Sequence, residues 1–483
     1  MIEKKVPSVW FSFVPLAVLI GMLVCVITAF GSDALAGGSQ IALLVASAVC
    51  VILGFLQKTM KWEDFEHAVN ENVSGVAQAI LILLLIGAVG GSWMVSGIVP
   101  TMIYYGMHVI DPNWFLVSSC VICALVSVMT GSSWTTIATI GIALLGIGKA
   151  QGFSEGWIAG AIISGAYFGD KISPMSETTV LASSTTRTPL FTHIRYMMYS
   201  TIPAFVTGLV VFTIAGLIFT PSSEQTMETF STGLKTVFNL SPWLMLVPLI
   251  TAMMIAKRLP AVVILFCATL MACFAAIFLQ TDLVDKIAGG DSVTLMNRFR
   301  GVMILVYGST GLETGVPELN ELVATRGMAG MMSTVWLIFC AMIFGASMSA
   351  SGMIESIMRM FIRLAHNAFS LVGSTVGVGL FMNIVCADQY LSLILTGNMF
   401  RDVYKRMGYE SRLLSRTTED AVTVTSVLIP WNSCGMTQSM VLGVSTLVYL
   451  PFCFFNYLSP CFSLLIAALG YKIKRRHCEE KLS

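Results

Sequence analysis

Charge is scarce in this chain. Of its 483 residues only 11% are Asp, Glu, Lys or Arg, against about 25% in a typical soluble domain. With 56% hydrophobic residues and a mean hydropathy of +0.83, that shortage excludes a soluble globular class and leaves a polytopic membrane protein. The basic residues fall in short loops rather than in runs that could follow a phosphate backbone, so no nucleic-acid partner is expected. The formal net charge of +1 says nothing about partners. Histidine is rare as well: five residues, mostly at segment ends (His67, His193, His366, His477), which argues against a His-based metal centre. No H-E-x-x-H, Gly-x-Ser-x-Gly elbow or nucleotide loop occurs, so neither an enzyme nor a resident cofactor is expected. The twelve cysteines are scattered through apolar runs. Cys120 and Cys123 form a C-x-x-C inside such a run with no second pair, and they read as small packing residues. Lys4 and Lys5 precede an apolar run, but no small-residue cleavage site follows it. The run is therefore read as a first span, not a signal peptide.

What the chain has instead is long uncharged runs. Those at 9–32, 41–57 and 261–280 are each long enough to cross ~30 Å of hydrocarbon. The segment 160–183 differs from them: it is apolar but holds Asp170, Lys171, Pro174 and Glu177. A charge at the bilayer centre costs at least ~2.5–3.5 kcal/mol, so a chain that places ionisable groups there uses them, pairs them or wets them. Glycines and a proline beside the charges point to a helix that unwinds at that depth, as transporters build binding sites.

Basic residues in short loops mark the cytoplasmic side. Lys58/Lys61, Arg187/Arg195, Lys257/Arg258, the five basic residues within 401–416 and the tail 472–476 all fall inside in one topology, with both termini cytoplasmic. Spans are expected near 9–30, 40–57 and 75–94, with 96–110 along the interface. A re-entrant hairpin follows at 114–149 with GSSWTT at its middle, then an interrupted helix at 156–183 and a span at 198–220. The order then recurs inverted: spans at 242–256, 261–279 and 331–350, an amphipathic stretch at 353–366, a hairpin at 369–400 around Asp388, and an interrupted helix at 418–445 around Pro430. A span at 447–470 closes the chain. The expected fold is thus an all-α polytopic membrane protein of about ten spanning helices plus two re-entrant hairpins. Its units are a first inverted repeat at 1–197, a linking span and loop at 198–241, a second repeat at 242–446 and a final span with tail at 447–483. The stretch 281–330 is unplaced; its apolar piece 302–307 could dip into the bilayer, and Glu313, Glu318 and Glu321 are expected in water.

Interrupted helices and hairpin tips gather carbonyls, helix ends and hydroxyls, which suits a dehydrated hard cation. Asp170 is the first choice for an exchanging carboxylate, since such a group can hold a proton or a metal ion. The competing reading is a static pair with Lys171, although neighbours in sequence do not face each other on an intact helix. Asp388 stands alone among apolar residues as a second carboxylate. Glu177 either shares the cavity or caps the second half-helix, and Ser133 belongs to the hydroxyl cluster of the first hairpin tip. Glu419 and Asp420 read as an ordinary helix start. Trp134 and Trp431, beside the interruptions, read as packing residues.

G-D-K-I-S-P-M-S-E-T-T at 169–179 resembles the G-D-K-x-S-P-L-S-D-T-T signature of NhaC-type sodium/proton antiporters. GSSWTTIATIG at 131–141, ADQYLS at 387–392 and TSVLIPWNSCG at 425–435 are similar to that family's blocks and follow its order. The resemblance implies paired hairpins and broken helices in inverted repeats, in a bacterial inner membrane, often as a homodimer. It implies sodium moving one way and protons or an organic solute the other, with the lipid bilayer and small ions as partners. Asp170, Ser173, Thr178, Asp388 and Asn432 are the positions it carries over, with sodium at Asp170 and Asp388. Two departures bear on the cargo: Glu177 stands where aspartate is usual, and Val180 where asparagine is common. Both put sodium coordination here in question and keep exchange of organic acids or amino acids, as in malate/lactate antiport, open beside sodium/proton exchange.

Overall fold

The computed structural model describes residues 6–30, 37–218, 224–257, 259–289, 294–312, 319–320 and 323–473; Arg258, Glu313, Glu318, Glu321 and the basic residues after Ile473 lie outside that set. Among the described residues every regular element is helical, as the sequence predicts. Nine helices among the described residues are long and apolar enough to cross a membrane, and two further pairs qualify if each bent pair is one span.

The first expected spans are helices α1 (Val9–Phe30), α2 (Gly38–Leu56) and α4 (Ala77–Val95), with α3 (Trp62–Gly75) between the last two. The segment expected along the interface is α5 (Ile98–Val109). Where a re-entrant hairpin is expected stand two helices, α6 (Phe115–Thr130) and α7 (Ser133–Ala150), each itself long and apolar enough to cross a membrane; the interrupted helix is α8 (Glu155–Ile172) followed by α9 (Glu177–Thr185). α10 (Leu190–Ile218) completes this half. After α11 (Glu224–Val237) come α12 (Leu246–Ala256) and α13 (Ala261–Leu279). Among its described residues the unplaced stretch contains α14 (Thr281–Ala288), α15 (Leu295–Tyr307) and a single helical turn at Gly327–Gly330. The apolar end of α15 packs on α4, where the Leu305 carbonyl leaves no room for a side chain at Gly91.

The second half runs through α16 (Met332–Ala350), α17 (Met353–Arg363), the pair α18 (Ala368–Val385) and α19 (Gln389–Arg406), and α20 (Ser411–Thr418). α20 continues into a π turn at Glu419–Thr423 and a 3₁₀ turn at Ser426–Leu428 before α21 (Ser433–Leu442). A helix Thr446–Phe452 bent by 53° against α22 (Phe454–Leu469) ends the described chain.

The halves repeat one order of local conformations. α4 and α16 both end at Ser-Gly with the glycine left-handed, Gly97 at φ 80° and Gly352 at φ 76°. The turn of each hairpin again uses a left-handed residue, Gly131 in the first and Ala387 in the second. Pro174 stands as far beyond Gly131 as Pro430 beyond Ala387, and each proline sits in the gap between two half-helices. Proline disfavours helix in the residue before it, and Ser173 accordingly takes φ −75°, ψ 128° and Ile429 φ −103°, ψ 116°. The second half-helices restart on polar caps, with Ser176 accepting from the Thr179 amide and Asn432 from the Cys434 amide.

Backbone freed by these breaks cannot be left bare in a membrane interior. Asn383 and Asn456 donate to the Val422 and Val424 carbonyls, each at 2.8 Å, and the Tyr449 hydroxyl donates to Val427 O at 2.9 Å. The first break is held by close packing. Gly165 and Gly169, a Gly-x-x-x-Gly pair, let α8 run parallel to α6 so closely that an added Cβ would lie 2.0 Å from Cys120 O and 2.3 Å from Ala124 O. Small residues at that spacing are how membrane helices approach, and Ser127 Oγ adds a 2.6 Å hydrogen bond to Ala166 O. Gly165→Ala should therefore cost about 1–3 kcal/mol through overpacking, read as a lower melting temperature in detergent. An unchanged melt would mean that the two helices do not touch there. Cys120 and Cys123 are buried in this same seam as unpaired thiols.

Candidate functional site

The two hairpin turns and the two helix breaks meet. Gly131 lies against the Met175 backbone, and the Ser433 amide donates to Ala387 O at 2.7 Å. In the first half the Asp170 carboxylate, at the end of α8, reaches across to the start of α7. Its Oδ2 accepts from the Ser133 amide at 3.1 Å and the Ser133 hydroxyl at 2.7 Å. The second half repeats this bridge with neutral partners: Ser426 Oγ donates to Gln389 Oε1 at 3.1 Å. Asp170 and Ser426 hold equivalent places before the two prolines, and Ser133 and Gln389 open the two returning hairpin arms.

Asp170 lines a cavity of about 420 Å³. Glu177, Thr178, Ser132, Trp134, Gln389 and Tyr390 share its walls with Gln78 of α4 and 259–261. Tyr390 donates its hydroxyl to Glu177 Oε2 at 3.0 Å, which ties the second hairpin to the first broken helix across the cavity. Among the described lining residues two side chains are acidic and none is basic. Such a site attracts cations and repels carboxylates.

The predicted site residues thus separate into two groups. Asp170, Ser133, Glu177 and Thr178 come together at the cavity. Asp388, Ser173 and Asn432 are not in its lining and act through the backbone. Asp388 caps α19 by accepting from the Leu391 amide at 2.9 Å, and it also accepts from Ser433 Oγ at 3.1 Å. Ser173 donates to Val128 O at 2.8 Å, fastening the break to α6. Asn432 caps α21 and donates to Asn383 O at 3.0 Å. Trp134 walls the cavity, whereas Trp431 packs with its ring N–H on Ile384 O at 2.8 Å. Val180 is 43% exposed and away from the lining, so the amide usual at that position has no direct bearing on the cavity.

The competing reading of Asp170 falls, and one sequence expectation is corrected. Lys171 does not pair with Asp170. One position on, it points the opposite way, wholly buried, and its ammonium donates to Asp420 Oδ1 and, at 2.7 Å, to Ser459 Oγ. Asp420 also accepts from Ser200 Oγ at 2.7 Å and lies 3.9 Å from Arg416 Nε. Glu419 and Asp420 are therefore no interfacial helix start but fully buried members of the π turn, and Arg416 is buried too rather than in a basic loop. The signal that could have found them is the spacing of Arg416 and Asp420, one turn apart in a stretch with no other reason to be amphipathic. Tyr390 was equally legible, as the phenol two residues beyond Asp388.

Converging half-helices, a buried carboxylate at their meeting point and an acidic cavity define a broken-helix membrane transporter. Sequence comparison then gives the family: the profile of the Na+/H+ antiporter family matches residues 165–471, and the chain belongs to that family. It is 34% identical over 431 residues to the Na+/H+ antiporter NhaC of Alkalihalophilus pseudofirmus, covering 89% of this chain and 90% of that one. It is 33% identical over 434 residues to the malate-2H+/Na+-lactate antiporter of Bacillus subtilis, with 89% of each covered. It is 31% identical over 489 residues to the arginine/ornithine antiporter ArcD of Halobacterium salinarum, covering 99% and 95%.

Proposed function

We propose that the protein exchanges sodium for protons across a bacterial inner membrane, with both termini cytoplasmic and Asp170 as the carboxylate that carries each ion in turn. The observation that carries this reading is the cavity, which presents Asp170 and Glu177 with no described basic group to hold an anion. Lys171, the basic residue nearest the break, is committed to Asp420. Ser133, Glu177 and Thr178 supply further oxygens, the donor type a hard cation takes; Asp388, Ser173 and Asn432 position the hairpin and half-helices around them.

Access fits alternation. The lining of the first cavity includes 259–261, next to Lys257, on the side the positive-inside rule makes cytoplasmic. A second cavity of about 410 Å³ lies at the other end of α4, beside Met94 and the paired Lys149 and Glu155. The volume of the first cavity exceeds what a bare sodium ion fills, which favours one alternative: an ion-coupled exchanger of organic acids or amino acids. The acidic lining weighs against the anionic members of that class.

Proteoliposomes holding a pH-sensitive dye and an imposed proton gradient separate the two. Sodium alone should collapse the gradient. A response that required an organic acid or amino acid, with none to sodium alone, would overturn sodium/proton exchange in favour of solute exchange.

A further inference from the structure

A third cavity, of about 190 Å³, lies where the end of α9, the last turns of α19 and the start of α20 meet. Arg187, Arg401 and Lys405 stand in its wall with a single carboxylate, Asp402. Among the described residues none of the three cations has a carboxylate partner. Arg401 makes two long hydrogen bonds, to Thr185 O and Asn398 Oδ1 at 3.4 Å each, both from Nη1. The rest of its planar fork is uncommitted. Arg187 and Lys405 are exposed, and their side chains have no hydrogen-bond partner among the described residues.

Local structure brings the cations together. Arg187 follows α9 in the left-handed conformation, at φ 55°, where a helix commonly ends on glycine. Arg401 and Lys405 are one turn apart on α19 and share a face. Opposite them is Ser411, the first residue of α20. The residue before it, Glu410, makes no side-chain bond to the first-turn amides and is paired instead with Arg412. α20 runs unbroken into the π turn, so its positive end adds to the field of the three cations. Three cations against Asp402 leave the wall with an excess of positive charge.

We propose that this cavity binds a phosphate group, carried either by the free ion or by a phospholipid headgroup. A guanidinium fork matches pairs of phosphate oxygens, an ammonium supplies a point charge, and a helix N-terminus supplies amides. The volume equals about six waters at ~30 Å³ each, room for a tetrahedral anion with part of its hydration shell. By the positive-inside rule the site faces the cytoplasm. Free phosphate and anionic headgroups both reach that side, and basic pockets between membrane helices there are known to take such headgroups. The site is separate from the Asp170 cavity and does not depend on what that cavity carries. Two helices join them: Glu177 opens α9 and Gln389 opens α19, and both residues wall the Asp170 cavity. An anion bound at the far ends of α9 and α19 ties the two helices to each other and to α20.

Purified wild type and Arg401→Gln/Lys405→Gln are compared in neutral detergent at constant ionic strength. Lys58→Gln/Lys61→Gln, which loses the same charge outside this lining, is the control. Binding of radiolabelled inorganic phosphate is measured by equilibrium dialysis, and retained phosphatidylglycerol is counted by native mass spectrometry. Wild type and control should bind at least one of the two probes saturably. The cavity variant should bind it about tenfold more weakly, or worse, at about 1 kcal/mol per cation lost. Saturable phosphate binding makes the free ion sufficient; lipid retention without phosphate binding makes the headgroup the ligand. If neither probe binds, or if the cavity variant binds as the control does, the site is overturned. Should the double variant melt below wild type, Lys405→Gln alone decides, since that side chain has no described hydrogen bond to lose. It should weaken binding several-fold, and an unchanged affinity sinks the assignment.

Discussion

Asp170→Asn should abolish sodium-coupled proton movement while leaving the protein folded and inserted. The amide keeps an oxygen that can accept from the Ser133 amide and hydroxyl, now at 3.1 and 2.7 Å, so the contact between the hairpin turn and α8 survives. What is lost is the charge. A unit charge 4 Å from a cation is worth about 4 kcal/mol at an effective dielectric of 20, so sodium affinity should fall roughly a thousandfold, at about 1.4 kcal/mol per decade. The amide also cannot take up a proton, so the pH dependence of any residual flux should vanish with it. Sodium-driven quenching of an internal pH dye measures both. Retained pH-dependent exchange in a variant that melts like wild type would remove Asp170 from the mechanism. Asp388→Asn is the matched control, because asparagine caps a helix as well as aspartate does and Asp388 does not line the cavity. It should lose no more than a few-fold in rate.

The breaks could be read from the sequence because their causes are local. Pro174 and Pro430 forbid helix just before them, and Gly131 lies in a left-handed turn that most residues resist. Asp170 was legible because a carboxylate in an apolar run has few other uses. Contacts that cross the fold were not. Lys171 meets Asp420 249 positions away, and which way Lys171 points follows from the rotation of α8 against α6, set by Gly165 and Gly169 rather than by its neighbours in sequence. Glu419 was misread for a related reason: acidic residues after Arg412 and Arg416 look like the first turn of a helix, and nothing in the local sequence marks a π turn in a helix already under way. Ala387 is the reverse case. It is left-handed at φ 53° without being glycine, so the second hairpin turn is held by what surrounds it, Ser433 on its carbonyl and the Asp388 cap beside it.

Removing one member of the buried pair should cost far more than removing both. Lys171→Met leaves Asp420 with Ser200, Ser459 and a guanidinium 3.9 Å away. Asp420→Asn leaves an ammonium and a guanidinium enclosed without their carboxylate. Breaking a buried ion pair from either side costs about 3–5 kcal/mol, whereas replacing the whole pair by neutral groups of similar volume is often neutral. Each single variant should therefore melt well below wild type, and the double variant Lys171→Met/Asp420→Asn should recover most of the loss. Such non-additivity is expected of groups in direct contact. Single losses that simply add in the double variant would mean that the two side chains do not meet. Transport then discriminates further. If the pair only holds the fold, the double variant should exchange sodium for protons at the wild-type ratio. A changed ratio in a double variant that melts like wild type would give the pair a part in transport as well.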